Sequence, residues 1–207
     1  MTAPYLPKAN SRHQILTAIA PHEFWPMVQP FRTQFVPDIR CGPHLNLLDP
    51  FVMPEHFEEA ARILRPNLAQ LSPVTAHLRA ARFARQVYPK SATLYVEVEF
   101  EPADGFQRIL DTALKVFPQC NDLVVNAHTG RHVPHVTLGK FATEGELEEA
   151  LKVIKTTWKD SSFDIREVYM LSRVGADPFE ILQVIQLGKE PRPSLMGPGN
   201  NLTRHSG

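Results

Sequence analysis

The stretch TAHLRAARFARQVYPKSATLYVEVEF, residues 75–100, decides how this chain folds. Its second half alternates cleanly, placing Leu94, Val96, Val98 and Phe100 on one face of an extended strand. The first half alternates more loosely through Ala76, Leu78 and Ala80, and Tyr88-Pro89-Lys90-Ser91 supplies a turn between the halves. A hairpin in the middle of the chain makes an antiparallel sheet the starting point for the rest.

Upstream of the hairpin, residues 54–70 have the pattern of an amphipathic helix. A proline stands near the start, acids fill the first turns, and Phe57, Ala61, Leu64 and Leu68 share one face, while Pro66 works against the last turn. Residues 43–48 before it form a strand closed by Asp49-Pro50. Residues 22–35 carry Phe24, Val28, Phe31 and Phe35 at helical spacing, with Pro26 suited to a first turn and Pro30 expected to bend the helix. Residues 13–20 are a strand stopped by Pro21. Downstream the pattern continues with a helix over 103–117, a strand over 134–141, a helix over 144–158 and strands over 163–172 and 179–187. Residues 189–207 are rich in Pro, Gly and Asn, a composition expected to be a disordered tail, and a glycosylation sequon at Asn201 is expected to be silent there. Strands and helices are interspersed and the strands pair as hairpins, which gives an α+β fold with largely antiparallel sheets and helices covering one side of them.

The composition narrows the function. Among 207 residues, 22 Lys and Arg balance 22 Asp and Glu, so a positive field for nucleic acid must be local. That balance argues against coating long duplex DNA and is compatible with a nucleotide or a short RNA end. Two cysteines, Cys41 and Cys120, are no disulfide framework. The start has no secretory profile and no apolar run is of bilayer-spanning length, so the expectations are a cytoplasmic or nuclear location and no membrane partner.

One tetrapeptide pattern occurs twice: His44-Leu45-Asn46-Leu47 and His135-Val136-Thr137-Leu138. Each copy follows a proline, lies in an expected strand and precedes a helix. On a strand, residues i and i+2 project from the same face, so His44 points with Asn46, and His135 with Thr137. Histidine moves protons near neutral pH, and a hydroxyl or amide beside it can donate to a phosphate oxygen. Two such strands across a cleft would surround a phosphodiester with two proton-transfer groups and two donors, one histidine activating the attacking oxygen and the other protonating the leaving oxygen.

With these motifs the chain resembles the 2H phosphoesterase superfamily, also described as 2′,5′-RNA-ligase-like or cyclic phosphodiesterase proteins. HVPHVTLGKF (132–141) is the closer match. GPHLNLLDPF (42–51) keeps the histidine, the aliphatic positions and the trailing Pro-Phe, and LSR…PFEILQVIQLG (171–188) resembles the family's last hairpin. The resemblance spans about residues 13–188. It implies one bilobal domain over 1–188, with two mainly antiparallel sheets backed by helices around a central cleft, a pseudo-twofold duplication with one motif per lobe. It further implies metal-independent hydrolysis of 2′,3′-cyclic phosphates on nucleotides or RNA ends to a 2′-phosphate. Cleavage of 2′,5′ or 3′,5′ linkages and RNA ligation use the same machinery. Carried across, His44 and His135 are the acid–base pair, and Asn46, where the family has Thr or Ser, and Thr137 bind phosphate. Phe179 is a candidate for stacking on a base. No cofactor is expected, and the protein is expected to be a monomer.

Other readings stand beside this one. A lone histidine on a half-buried strand is ordinarily structural, and Thr137 alone could be no more than a good strand former. His128, His132 and His135 invite a zinc reading, although no acid or cysteine nearby completes a familiar ligand set. His132 could instead contact substrate at the cleft mouth, and Arg173 could partner phosphate or be a solvated strand end. With Asn46 in the first motif, a non-catalytic binder of RNA or nucleotides is the rival to an enzyme.

Overall fold

The computed structural model describes residues 5–36, 39–127 and 132–188. The tail from residue 189, with its sequon at Asn201, lies outside the described residues, as does His128 of the zinc reading. The chain enters through β1 (Gln14–Ile19), α1 (Trp25–Phe35), β2 (His44–Leu48) and α2 (Phe57–Leu68). It then makes the long hairpin β3 (Val74–Tyr88) and β4 (Ser91–Glu101), followed by α3 (Gly105–Val116) and a single turn, α4 (Asp122–Val125). It closes with β5 (His135–Phe141), α5 (Glu144–Thr157), β6 (Ser161–Ile165), β7 (Glu167–Ser172) and β8 (Glu180–Gln186).

The strands form two four-stranded antiparallel sheets, ordered β2-β1-β7-β8 and β5-β4-β3-β6. The first sheet takes its strands from both ends of the chain and the second from the middle. The fold is therefore α+β with two antiparallel sheets and covering helices, as expected. The run 163–172, expected as one strand, is two: β6 pairs with β3 in the second sheet and β7 with β1 in the first, the chain crossing over at Arg166. The hairpin of β3 and β4 forms as read, with a break in register between Leu78 and Phe83.

Helix positions follow from their apolar faces. α2 buries Phe57, Ala60, Ala61, Leu64 and Leu68 and packs on β8 and α3, while α3 also covers β2. Pro66 lies inside the last turn of α2 without ending it, and Pro30 lies inside α1 in the same way. α5 starts at an N-cap, Thr143, whose hydroxyl accepts from the Glu146 amide, while the Glu146 carboxylate accepts from the Ala142 amide at 3.0 Å. α5 covers β4 and β5, and α1 also lies against β5. α1 turns Trp25, Val28 and Arg32 inward; of the expected Phe24, Val28, Phe31 and Phe35, the first two are buried and the last two pack partly buried against the core. One continuous apolar cluster joins the two halves, and Phe24 of the first segment meets Phe163 of β6 at 4.8 Å between rings.

Candidate active site

β2 and β5, the strands that carry the two motifs, each lie at an edge of their sheet, and these two edges meet. Burial alternates identically in both: His44 and Asn46 are half-buried while Leu45 and Leu47 are buried, and His135 and Thr137 are half-buried while Val136 and Leu138 are buried. Period-two alternation thus sends the aliphatic residues into the core and the polar pair to the other face.

The segments leading into the motifs are fastened alike. The Pro43 carbonyl accepts from the Ala20 amide at the end of β1, and the Pro134 carbonyl accepts from the Val98 amide of β4, both at 3.0 Å. Proline suits these edge positions because the outward side needs no N–H. His44 Nδ1 donates to the Gly42 carbonyl at 2.8 Å, and His135 Nδ1 donates to the Val133 carbonyl at 2.9 Å. A carbonyl only accepts, so each Nδ1 carries the proton and each neutral ring keeps Nε2 as its basic nitrogen. Both rings have the same tautomer, set by the same i−2 carbonyl.

The two motifs are also tied to each other. His132, just before β5, donates from Nε2 to the Asn46 backbone carbonyl of β2 at 3.0 Å. Burial, the larger cause, and then His135 lower His132 from the ordinary imidazole value, while its bond to the Asn46 carbonyl opposes this. His44 is pushed down to about 4, chiefly by burial and then by the positive charge of Arg32; the Gly42 carbonyl opposes this, and His135 and Lys140 add to it. The first histidine is therefore neutral across the physiological range.

Asn46 donates from Nδ2 to Asp49 Oδ2 at a long 3.4 Å, and its Oδ1 is buried without a hydrogen-bond partner among the described residues. Thr137 lies opposite Tyr95 in the ladder and His135 opposite Glu97, and the Tyr95 ring packs on His135 with centroids 4.8 Å apart. Glu97 is taken by Arg82 at 2.7 Å.

Phe179 and Arg173 sit together at the β7–β8 turn, the guanidinium 5.3 Å above the ring. Phe179 is buried, and its amide donates to the carbonyl of Arg40, four residues before His44. Arg173 also donates to the Gly175 carbonyl. The structure thus brings His44, His135, Asn46 and His132 together and sets Phe179 and Arg173 beside the segment that leads into the first motif. Among the described residues no group of three or more His, Cys, Asp or Glu could hold a metal ion, and His128 is not among them. No described helix is long and apolar enough to cross a membrane.

Sequence reasoning missed Arg32, Asp49 and Tyr95. Tyr95 and Glu97 were legible as the polar face of the TLYVEVEF alternation. Arg32 continues the Trp25–Val28 stripe of α1, and an arginine on a buried helix stripe is a signal in itself.

A family model described as the 2′-5′ RNA ligase superfamily matches residues 20–177. No curated protein matches the chain. Among solved structures, E. coli LigT complexed with 3′-AMP is similar with a TM-score of 0.56 at 15% identity, covering 85% of this chain and 98% of that one. TT0787 of Thermus thermophilus is similar with a TM-score of 0.53 at 17% identity, covering 86% and 99%. E. coli LigT complexed with phosphate is similar with a TM-score of 0.51 at 15% identity, covering 87% and 99%. At these identities the likeness is one of fold.

Proposed function

The chain belongs to the 2′-5′ RNA ligase superfamily, and from that premise we propose that it is a metal-independent phosphodiesterase that opens 2′,3′-cyclic phosphates on nucleotides or RNA ends. The observation that carries the reading is the matched pair of imidazoles, each with Nδ1 anchored on an i−2 carbonyl and Nε2 left for proton transfer. In the reaction, one Nε2 takes a proton from water as its oxygen attacks phosphorus. The P–O3′ bond breaks, its electron pair stays on O3′, and the other histidine, entering the step as the doubly protonated imidazolium, donates its Nε2 proton there. The product is a 2′-phosphate with a free 3′-hydroxyl, and the two rings reset by exchanging one proton with solvent. Asn46 and Thr137 hold the non-bridging oxygens, Arg173, seated over the buried Phe179 ring, faces the base or an adjoining phosphate, and His132 keeps the two strands in register. That E. coli LigT has been crystallised with 3′-AMP and with phosphate fits an occupant of this size.

The test is turnover of 2′,3′-cyclic AMP by EDTA-treated protein, wild type against His44→Ala and His135→Ala. Each substitution is expected to lower kcat by about 10²–10⁴-fold, as for loss of a general acid or base. Retained turnover in either variant, or loss with EDTA and recovery with zinc, would sink the two-histidine scheme. One observation favours a second reading, a nucleotide or RNA binder without turnover: the Asn46 amide donates to Asp49, where a threonine would offer its hydroxyl to phosphate. Tight binding of 2′-AMP with no hydrolysis of any cyclic or linear diester would select it.

A further inference from the structure

The two motifs are anchored alike, but only the first has a buried guanidinium behind it among the described residues. Arg32 on α1 is 4% exposed, and its Nη2 donates to the Cys41 carbonyl at 2.7 Å. The next carbonyl along the chain, that of Gly42, is the one that holds His44. Guanidinium and imidazole therefore hang from consecutive carbonyls of one short segment. Trp25, one helical face with Arg32, closes over that segment so tightly that a β-carbon on Gly42 would lie 2.2 Å from its ring. The second motif has a Val133 carbonyl and the ring of Tyr95 in the corresponding surroundings.

We propose that Arg32 is a positioning residue that makes His44 the general base and leaves proton donation to His135. The proposal rests on the two-histidine reading above and divides its labour. Arg32 keeps its charge even when buried, because a guanidinium is not deprotonated in proteins. The adjacent Cys41 thiol, pushed up to about 12 by burial, stays neutral and does not cancel that charge. Around His44 the charged or titratable groups that act on it are Arg32 from α1 and His135 and Lys140 from β5, with His132 braced against the next residue pair. All of them are cationic or neutral, so a proton on His44 is disfavoured in the empty site. A phosphodiester anion in the cleft supplies the missing negative charge and raises the ring's proton affinity at the step in which it takes the proton from water. His135, which must enter this step as the imidazolium, then gives its Nε2 proton to the leaving O3′, so that one proton is taken up and one delivered.

The experiment is an NMR titration of the imidazole nitrogens in wild type, Arg32→Gln and Arg32→Lys, run beside the pH profile of kcat/KM for 2′,3′-cyclic AMP. In wild type His44 is expected to titrate well below the ordinary imidazole value of about 6.5 and to remain the Nδ1–H tautomer above pH 5. In Arg32→Gln the His44 midpoint is expected to rise by about half to one pH unit, because burial still acts, and the acid limb of the profile to follow it. Arg32→Lys restores the charge and should bring the midpoint back most of the way. A wild-type His44 that titrates at or above the ordinary imidazole value of about 6.5 overturns the proposal, and that measurement needs no variant to fold. An unchanged His44 midpoint in folded Arg32→Gln overturns it as well. The midpoints are read without turnover, so absence of hydrolysis would remove the phosphodiesterase reading while leaving the charge relation measured.

Discussion

At the scale of single residues, the departure at Asn46 has its consequence at Asp49. An asparagine reaches farther than a threonine and meets the Asp49 carboxylate at the end of β2. That carboxylate is 6% exposed, its Oδ1 lacks a hydrogen bond among the described residues, and its ion-pair partner, Arg12, stands 4.0 Å away. Burial pushes Asp49 up to about 6, with Arg12 opposing and Asp122 adding to the rise. An unfolded aspartate loses its proton near 3.9, so between there and about 6 the native state binds more protons than the unfolded one. Stability therefore falls as pH rises through that window, and the cost is fully present above it. Asp49→Asn should raise the thermal midpoint at pH 8, with a gain of up to about 3 kcal/mol that shrinks to about 1 kcal/mol at pH 4.5. Thermal unfolding at the two pH values checks this. A gain of equal size at both would assign the effect to packing, and a loss at pH 8 would mean that the Arg12 pairing outweighs burial.

At the scale of elements, local periodicity identified most strands and helices but not their partners. TLYVEVEF and HVTL were readable because one face of each strand is core and the other is not. The run 163–172 misled because Phe163 and Ile165 of β6 lead almost directly into the apolar β7, and no side-chain pattern reports a change of sheet at Arg166. α4 is one turn long and too short to leave a period. In α1 the aromatic positions were readable but Arg32 was not, since a charged residue is read as solvent-facing by default. The site was legible as far as its two strands reached. What lies behind them, α1 and the loop it clamps, depends on packing between elements distant in sequence. Gly42→Ala tests that clamp. Its β-carbon would meet Trp25 ring atoms at 2.2–2.8 Å, so ring or loop must move. The expected stability loss is about 1–3 kcal/mol, as for overpacking. Because the same loop carries the carbonyl that orients His44, kcat should fall at least tenfold with KM little changed, alongside a shifted Trp fluorescence. Full activity in a folded variant would mean that Gly42 serves packing alone.

At the scale of the molecule, the duplicated architecture places two sheet edges against each other and, among the described residues, leaves little positive surface to follow a polymer. The chain's 22 basic side chains equal its 22 acidic ones, and the three arginines of β3 are already engaged. Arg79 pairs with Glu99, Arg82 with Glu97 and Glu99, and Arg85 with Glu144 and Glu148. Among the described residues the cations near the motifs are few: Arg32, held by Cys41, Lys140 on β5, Arg173 at the β7–β8 turn, and Arg40 in the segment before β2. An RNA end would therefore be gripped at one or two phosphates. Counterion release then makes log Kd change by about 0.7 per neutralised phosphate for each decade of salt. Measured between 50 mM and 500 mM KCl, a dinucleotide and a dodecamer with the same terminal phosphate should give the same slope, about −1 in log affinity. A dodecamer slope steeper than about −3 would require an extended basic track, which the paired hairpin does not offer, and would relocate RNA recognition to a surface other than the meeting edges of β2 and β5.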